Sequence, residues 1–522
     1  MENLSRREKI FIMSAIACAL LFASLNQTIV INALPTIVAQ LNGAELFNWV
    51  FTIYMLTSSI TAILVGKLSD LYGRKTFILV GIGFFLITSF LCGTSTTIGQ
   101  LILYRGLQGI GGGMILSTSF AAVGDLFSPR ERGRWQGFLS ATFATSSILG
   151  PTIGGMIVDT WNWHYIFWVF LPVGVVAFSL IYKLFPTIQN TGNKKIDYLG
   201  SLLLTGTIAP FLLVFSLAGK DFSWISPQII GLSGLSILSL VFFVRVEKRA
   251  ANPILPLTLF RNKIFTLSSS INLLIGMGLF SCITFTPFFL QGVQGKDATT
   301  SSMIMIPIQL GLVFASFFTG QLLARTGKYK KLSILGLGLM LIGTLSMLDT
   351  TTHTTPLQTM LQLSVIGLGL GITFPIFSVT VQNAIPYEHL GTGTSSVQLF
   401  RQLGGTVGVS IMTMIMQGSP QSKFINEVSA APNPSLPNST VEMLSNPQVL
   451  MNPEKLHHVQ SNLTPESQSL VQSILQQTKN TLLSSLHNVY LALAILVLIA
   501  FIIGFSVPEI ELRTSNKRNQ AS

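Results

Sequence analysis

Charge is scarce in this sequence. Only 10% of its 522 residues are Asp, Glu, Lys or Arg, whereas 49% are hydrophobic and the mean hydropathy is +0.61. A water-soluble globular chain carries about a quarter charged residues, so a soluble fold is excluded. Cysteine is rarer still. Cys18, Cys92 and Cys282 fall far apart inside apolar runs, which leaves neither a disulfide framework nor a zinc site and reads as small apolar packing residues. Metal-ligand clusters, nucleophile elbows and phosphate-binding loops are also missing. Gly109-Ile-Gly-Gly-Gly113 lies within an apolar helical run and not after a strand, so it is no nucleotide motif. The expectation is a protein that is no enzyme, holds no metal or cofactor, and draws on no nucleotide.

What the sequence has instead is long apolar runs. A bilayer-crossing helix needs about 20 mostly apolar residues. Fourteen such runs centre near residues 22, 57, 87, 111, 147, 174, 209, 236, 276, 311, 341, 369, 405 and 497. The first has basic flanks but no small-residue cleavage pattern, so it reads as a retained signal anchor. Fourteen spans place both termini on one side. The segments on that side hold twenty-four Lys and Arg residues, the opposite segments five, and the last two, Arg105 and Arg401, lie inside spans. The positive-inside rule then predicts cytoplasmic termini in a plasma or inner membrane. It also explains the net charge of +12 as topology, with no nucleic-acid partner.

A repeat runs through the chain. Gly66-Lys-Leu-Ser-Asp70-Leu-Tyr-Gly73-Arg74-Lys75 ends span 2, and Gly320-Gln-Leu-Leu-Ala-Arg325-Thr-Gly327-Lys328 ends span 10. Span 4 carries Gly109 to Gly113 and span 12 carries Gly367-Leu-Gly-Leu-Gly371. Two six-helix halves are therefore expected, residues 1–185 and 263–522, with two inserted helices in 186–262. Parallel halves of this kind are a transporter architecture, with a substrate site near the midplane where they meet. The segment 418–486 is expected as an extracellular loop, polar at first and helical after Thr464-Pro465-Glu466, an N-cap pattern. Leu470, Val471, Ile474, Leu475, Leu482 and Leu486 keep helical spacing into span 14.

The turn between spans 2 and 3 carries the most specific motif. Its glycines, Gly66 and Gly73, let two helix ends approach closely. Asp70 and Arg74 are four apart, so one can accept a helix end's free amides while the other pairs with an acid. Arg105 lies within span 4, where an ionisable side chain costs about 3 kcal/mol on insertion scales and reads as functional. In span 5, Gly150 and Gly154 make a close-packing face and Pro151 bends the helix, so Gly150-Pro151-Thr-Ile-Gly154-Gly155 is a candidate hinge. The spans 2–3 turn resembles the loop signature of the major facilitator superfamily, and the span 5 motif resembles the antiporter signature of its exporters. Leu25-Asn26-Gln27-Thr28 to Pro35, Trp161-Asn-Trp163-His164 and Phe400-Arg401-Gln402-Leu-Gly404-Gly405 resemble its fourteen-span drug:proton antiporters. The resemblance covers nearly the whole chain, except the outer loop and the tail. It implies an all-α major facilitator fold, a conformational latch in which Asp70 meets span 13 and Arg74 meets Asp125, and a role for Arg105 in proton coupling.

One departure matters. Where that family has an aspartate, this chain has Asn26, and no carboxylate lies in the middle of any span. Asp70, Asp125, Asp159 and Asp349 come nearest. Asn26 stands about 22 Å from the inner start of span 1, and Arg105 about 24 Å from the inner end of span 4 at 1.5 Å per residue, so the two are expected to face each other. An amide solvates a guanidinium but does not cancel it, leaving the interior net positive. The expected cavity residues are Asn26, Gln27, Tyr54, Arg105, Gln108, Asn272, Gln398, Arg401 and Gln402. The expected activity is secondary, proton-coupled export of amphipathic small molecules by alternating access, in a protein whose partners are the substrate, protons and the lipid bilayer, with no oligomer implied. The alternative is export of an endogenous anionic or lipid-like metabolite, coupled otherwise than through a span 1 carboxylate. A membrane sensor without transport would need an output domain that the short tail does not supply.

Overall fold

The computed structural model describes residues 5–41, 46–186, 197–219, 222–250, 252–418 and 465–512. They form α1 (Arg6–Gln40), α2 (Phe47–Tyr72), α3 (Arg74–Gly93), α4 (Ile98–Leu126) and α5 (Pro129–Thr160). Next comes α6, which runs as Tyr165–Trp168 and, after a turn at Val169 and Phe170, as Leu171–Leu184. Then follow α7 (Tyr198–Leu217), α8 (Pro227–Glu247), α9 (Lys263–Pro287), α10 (Ala298–Thr326), α11 (Lys330–Ser346), α12 (Pro356–Ala384), α13 (Leu390–Gly418) and α14 (Pro465–Ser506). Pairing of the extended kind is limited, among the described residues, to an isolated bridge between Ala218 and Phe222. Among the described residues, thirteen helical stretches are long and apolar enough to cross a membrane. The remaining helix, α4, has 29 residues, about 43 Å at 1.5 Å per residue. Its glycines, Arg105 and Gln108 keep it less apolar, and it packs against α1, α2, α3 and α5.

Local chemistry sets the helix ends. The Thr97 hydroxyl accepts from Gln100 N at the start of α4, and Asn262 accepts from Ile264 N and Phe265 N at the start of α9. Asp197 and Asp297 cap α7 and α10 in the same way, each satisfying an amide with no partner in its own helix. Gly73, with φ 94°, joins α2 to α3 without a loop, a backbone state that favours glycine. Pro307 and Pro375 sit inside α10 and α12, as membrane helices tolerate. Pro287 closes α9, which continues as a π-helical turn over Phe288–Val293.

Packing repeats eight helices apart. A β-carbon on Gly113 of α4 would lie 2.4 Å from Ser58 O of α2, and one on Gly371 of α12 would lie 2.5 Å from Leu312 O of α10. Both glycines thus admit a neighbouring backbone that any side chain would exclude. The buried apolar residues fall into clusters, two of them in α1 to α6 and a third in α9 to α14 that also takes in Ala144 of α5. The helices α7 and α8 pack on each other, and Leu204, Ile208, Leu212 and Phe243 fasten them to Ile63 of α2 and Leu399 of α13. Outward faces carry exposed Val80, Ile87, Ile237, Phe318, Ile342 and Ile502, a surface suited to lipid. The chain is a multi-pass membrane protein.

The helix expected after Thr464-Pro465-Glu466 is present and begins at Pro465. Residues 465–486 belong to the same continuous helix as the last span. Val471, Ile474, Leu475, Leu482 and Leu486 are buried, and the last two join the core of α9 to α14. Their apolar side chains recur at helical spacing, so burial against α9 and α11 extends the span. The Leu470 side chain and residues 419–464 lie outside the described residues.

Candidate functional site

Four helices bring polar groups together deep inside the first cluster of helices. Asn26 comes from α1, Tyr54 from α2, Ser89 from α3, and Arg105 and Gln108 from α4. Arg105 and Gln108 share one face of α4 because they are three residues apart. Arg105 Nη1 donates to Gln108 Oε1 at 2.5 Å, and Gln108 Nε2 donates to Asn26 Oδ1 at 3.0 Å and to Ser89 Oγ at 2.6 Å. The guanidinium lies over the Tyr54 ring, 4.2 Å from its centroid, a cation–π contact that stabilises a desolvated charge. Arg105 is 0% exposed, and its Nε and Nη2 have no hydrogen-bond partner among the described residues; the same holds for Asn26 Nδ2. Asn26 and Arg105 are therefore joined through Gln108, not directly face to face.

The remaining expected cavity residues do not join this cluster. Arg401 of α13 stacks on Phe374 of α12 at 4.4 Å. Gln402 accepts from Ser59 Oγ of α2 at 2.6 Å, a direct link between α2 and α13. Gln398 is buried with Oε1 unpartnered among the described residues. Asn272 turns back onto its own helix, donating to Ser268 O at 2.9 Å. Gln27 donates to Met55 Sδ at 3.8 Å. Asn26, Tyr54, Arg105, Gln108, Asn272 and Gln398 are buried, while Gln27, Arg401 and Gln402 keep partial exposure. In this conformation Asn26, Tyr54, Ser89, Arg105 and Gln108 form one connected cluster, and the other expected residues make the separate contacts given above.

A second assembly lies at the end of the molecule where α1 begins and α14 finishes. Asp70 Oδ1 accepts from Gly391 N and Oδ2 from Thr392 N, both at 2.9 Å, at the first turn of α13. Those amides lack partners inside their helix, and the helix dipole favours a carboxylate there. Arg74 pairs with Asp70 and, through Nε, with Asp125 Oδ2 at 2.9 Å, and it also donates to Ser69 Oγ and Gly66 O. A β-carbon on Gly66 would meet Ser395 Oγ at 2.3 Å. In α5, a β-carbon on Gly150 would meet Thr28 Oγ1 at 2.1 Å and one on Gly154 would meet Ile29 O at 3.0 Å, whereas Gly155 has nothing within 4 Å. The close-packing face is thus Gly150 and Gly154 against α1, without Gly155. The helix runs unbroken through position 151, and the Pro151 side chain lies outside the described residues.

Several contributors had no individual signal in the sequence. Arg130 donates to Ala324 O at 2.8 Å and to Arg325 O, while Arg132 donates to Gly124 O at 2.8 Å and Gln382 O at 3.2 Å. Both arginines cap carbonyls at the ends of α10 and of α4 and α12, where cations are favoured. Counted by sequence they are loop charges; their position just after the Ser128-Pro129 helix start was the available clue. Glu247 is a clearer omission: it ends α8 and is buried, so it joins the acids nearest the membrane interior. No group of three or more metal-ligating side chains occurs among the described residues.

Comparisons with known proteins agree with this architecture. Residues 16–409 match the family described as Major Facilitator Superfamily. The multidrug transporter protein MdtP of Bacillus subtilis (strain 168) is 33% identical over 98% of this chain and 95% of its own length. Multidrug resistance protein 3 of the same organism is 31% identical, over 84% of this chain and 85% of its own. Among solved structures, the proton:xylose symporter XylE superposes with a TM-score of 0.62 at 12% identity, covering 97% of each chain. The human organic anion transporter MFSD10 gives 0.60 at 13% identity, covering 94% of this chain and 99% of its own.

Proposed function

This chain belongs to the major facilitator superfamily, and from that premise we propose that it is a proton-coupled multidrug exporter working by alternating access. Its relatives named as multidrug transporters and efflux pumps support export of amphipathic small molecules. The moving bodies are the halves 1–185 and 263–522, with 186–262 as an inserted pair, and both termini face the cytoplasm of a cell membrane. One observation carries the mechanism. The contacts of Asp70, Arg130 and Arg132 across the terminal end are made to main-chain groups at helix ends. Such contacts can be released and remade while each helix cluster stays packed, which a rocking cycle requires. On this reading Asp70, Arg74 and Asp125 are the latch of a form closed on the cytoplasmic side.

The charge of the interior favours a second reading of the substrate. Arg105 and Arg401 face a membrane interior without a mid-span carboxylate, and two nitrogens of Arg105, Nε and Nη2, have no hydrogen-bond partner among the described residues. Buried donors without acceptors cost stability, so a substrate bearing a carboxylate or another strong acceptor would be held there better than a permanent cation. Substrate-dependent proton release from purified protein, run with cationic, neutral and anionic compounds, tests both readings. Release with none of the three classes removes proton coupling. Release with cations alone removes the anion preference.

A further inference from the structure

The inserted helices carry a site that the transport reading leaves unused. Asp197 begins α7 and Glu247 ends α8, so two antiparallel neighbours place their carboxyl groups at the same end. Asp197 Oδ1 caps α7 by accepting from Gly200 N at 2.7 Å, and Glu247 Oε1 accepts from Leu255 N at 2.6 Å. The other oxygens, Asp197 Oδ2 and Glu247 Oε2, are both buried and have no hydrogen-bond donor among the described residues. They flank the same small space: a β-carbon on Gly200 would lie 2.4 Å from the first and 2.9 Å from the second. Glu247 as a whole is only 3% exposed. Gly200 is the residue type that leaves this space open.

Two ionised carboxylates so placed would repel each other, and each would keep a buried oxygen without a donor. Lys67 of α2, itself buried, acts electrostatically on Glu247 in the opposite sense to Asp197. Lys67 offsets the charge of the pair in part. A single proton held by the pair removes one negative charge and supplies a donor. Two carboxylate oxygens suit a proton better than a metal ion, which would take more ligands than this pair offers. Arg245, Lys248 and Arg249 lie on or just after α8, and Lys194 and Lys195 precede Asp197 outside the described residues.

We propose that Asp197 and Glu247 form a proton-binding carboxyl pair on the inserted helices, loaded with one proton from the aqueous phase at the terminal end. Its protonation changes the charge beside Lys67, which lies in the same turn of chain as Gly66 and three residues before Asp70. The inserted pair thereby acquires a pH-sensitive electrostatic link to the helix that carries the latch. This inference does not depend on the substrate or on the transport reading.

The test is pH-difference infrared spectroscopy of the purified full chain in lipid vesicles, without substrate, in choline and in sodium buffers. Above about pH 6 ordinary carboxyls are ionised, so a protonated-carboxyl band there reports a special site. The wild type should show such a band, and Glu247→Gln and Asp197→Asn should each lose it. Both changes keep the local structure, because asparagine caps a helix as well as aspartate does and the glutamine oxygen still accepts from Leu255 N. Circular dichroism and monodisperse elution establish that the variants are folded. A band equally strong in wild type and both variants overturns the proposal, as does its absence from the wild type. A wild-type band that disappears when sodium replaces choline also overturns it, in favour of a metal cation.

Discussion

Gln108 stands between Asn26 and Arg105, giving its amide N–H to the one at 3.0 Å and its carbonyl to the other at 2.5 Å. In both bonds its amide is oriented by the partner, so a neutral residue couples α1 to the buried guanidinium of α4. Replacing Gln108 by Leu leaves Arg105 with no hydrogen bond from this cluster and Asn26 with no donor. The expected cost is about 1–3 kcal/mol for the groups left unsatisfied, read as a lower Tm in detergent, with export lost. Gln108→Glu puts a carboxylate on Arg105 and should retain the fold. An unchanged Tm in Gln108→Leu would show that the bridge contributes little.

Asn26→Asp tests the departure from the resembled family at position 26. The new carboxylate still accepts from Gln108 Nε2, and the nearby guanidinium opposes the effect of burial on its protonation. Such a group can alternate between charged and neutral as its surroundings change. The variant should export cationic dyes better and depend more steeply on an imposed pH gradient. Vesicle efflux of one cationic and one anionic dye over a series of gradients gives the comparison, and identical profiles for both proteins would remove position 26 from the coupling path.

Asp70→Asn keeps one acceptor oxygen for α13 but removes the charge shared with Arg74. The structure assigns three bonds from Gly391 N, Thr392 N and Thr392 Oγ1 to this one carboxylate. Bonds to an ionised group contribute about 1.5–3 kcal/mol, so export should fall by about tenfold or more at matched expression. Asp70→Ala should fall further. Near-normal efflux in both variants would remove the latch.

Ser117 of α4 and Ser395 of α13 touch through their hydroxyls at 2.6 Å. In a background without Cys18, Cys92 and Cys282, the pair Ser117→Cys and Ser395→Cys should form a disulfide, since the side chains are already within bonding reach. Oxidation should stop export and reduction should restore it, because the bond holds the two bodies in the closed form. Full activity of a protein shown by mass spectrometry to be cross-linked would mean that α4 and α13 do not separate in the cycle.

Much of the fold was legible because a bilayer imposes a one-dimensional rule. Each span needs its own long apolar run, so counting runs located the helices from α1 to α14 to within a few residues at their centres. The stretch 465–486 was legible from its start signal and spacing: polar residues such as Gln476, Gln477 and Lys479 punctuate it, yet its apolar residues keep helical spacing into the last span, where Leu482 and Leu486 are buried against other helices. The motif at Gly66 to Lys75 was legible for a different reason. Its contacts to Asp125 and Gly391 lie at helix ends, where free amides and a charged turn have few alternative partners.

The sequence by itself determined the membrane setting, the succession of helices, the repeat and the want of an acid near Asn26, because hydropathy, spacing and residue identity are local properties. Only the tertiary structure decided that Gln108 mediates between Asn26 and Arg105, that Arg132 is buried against the ends of α4 and α12, and that Asp197 and Glu247 flank the same space beside Gly200. Each of these depends on how far one helix is rotated and slid against another. Periodicity says which residues share a face, but the close packing of glycine faces, such as Gly113 on Ser58 and Gly371 on Leu312, sets which faces meet and at what depth.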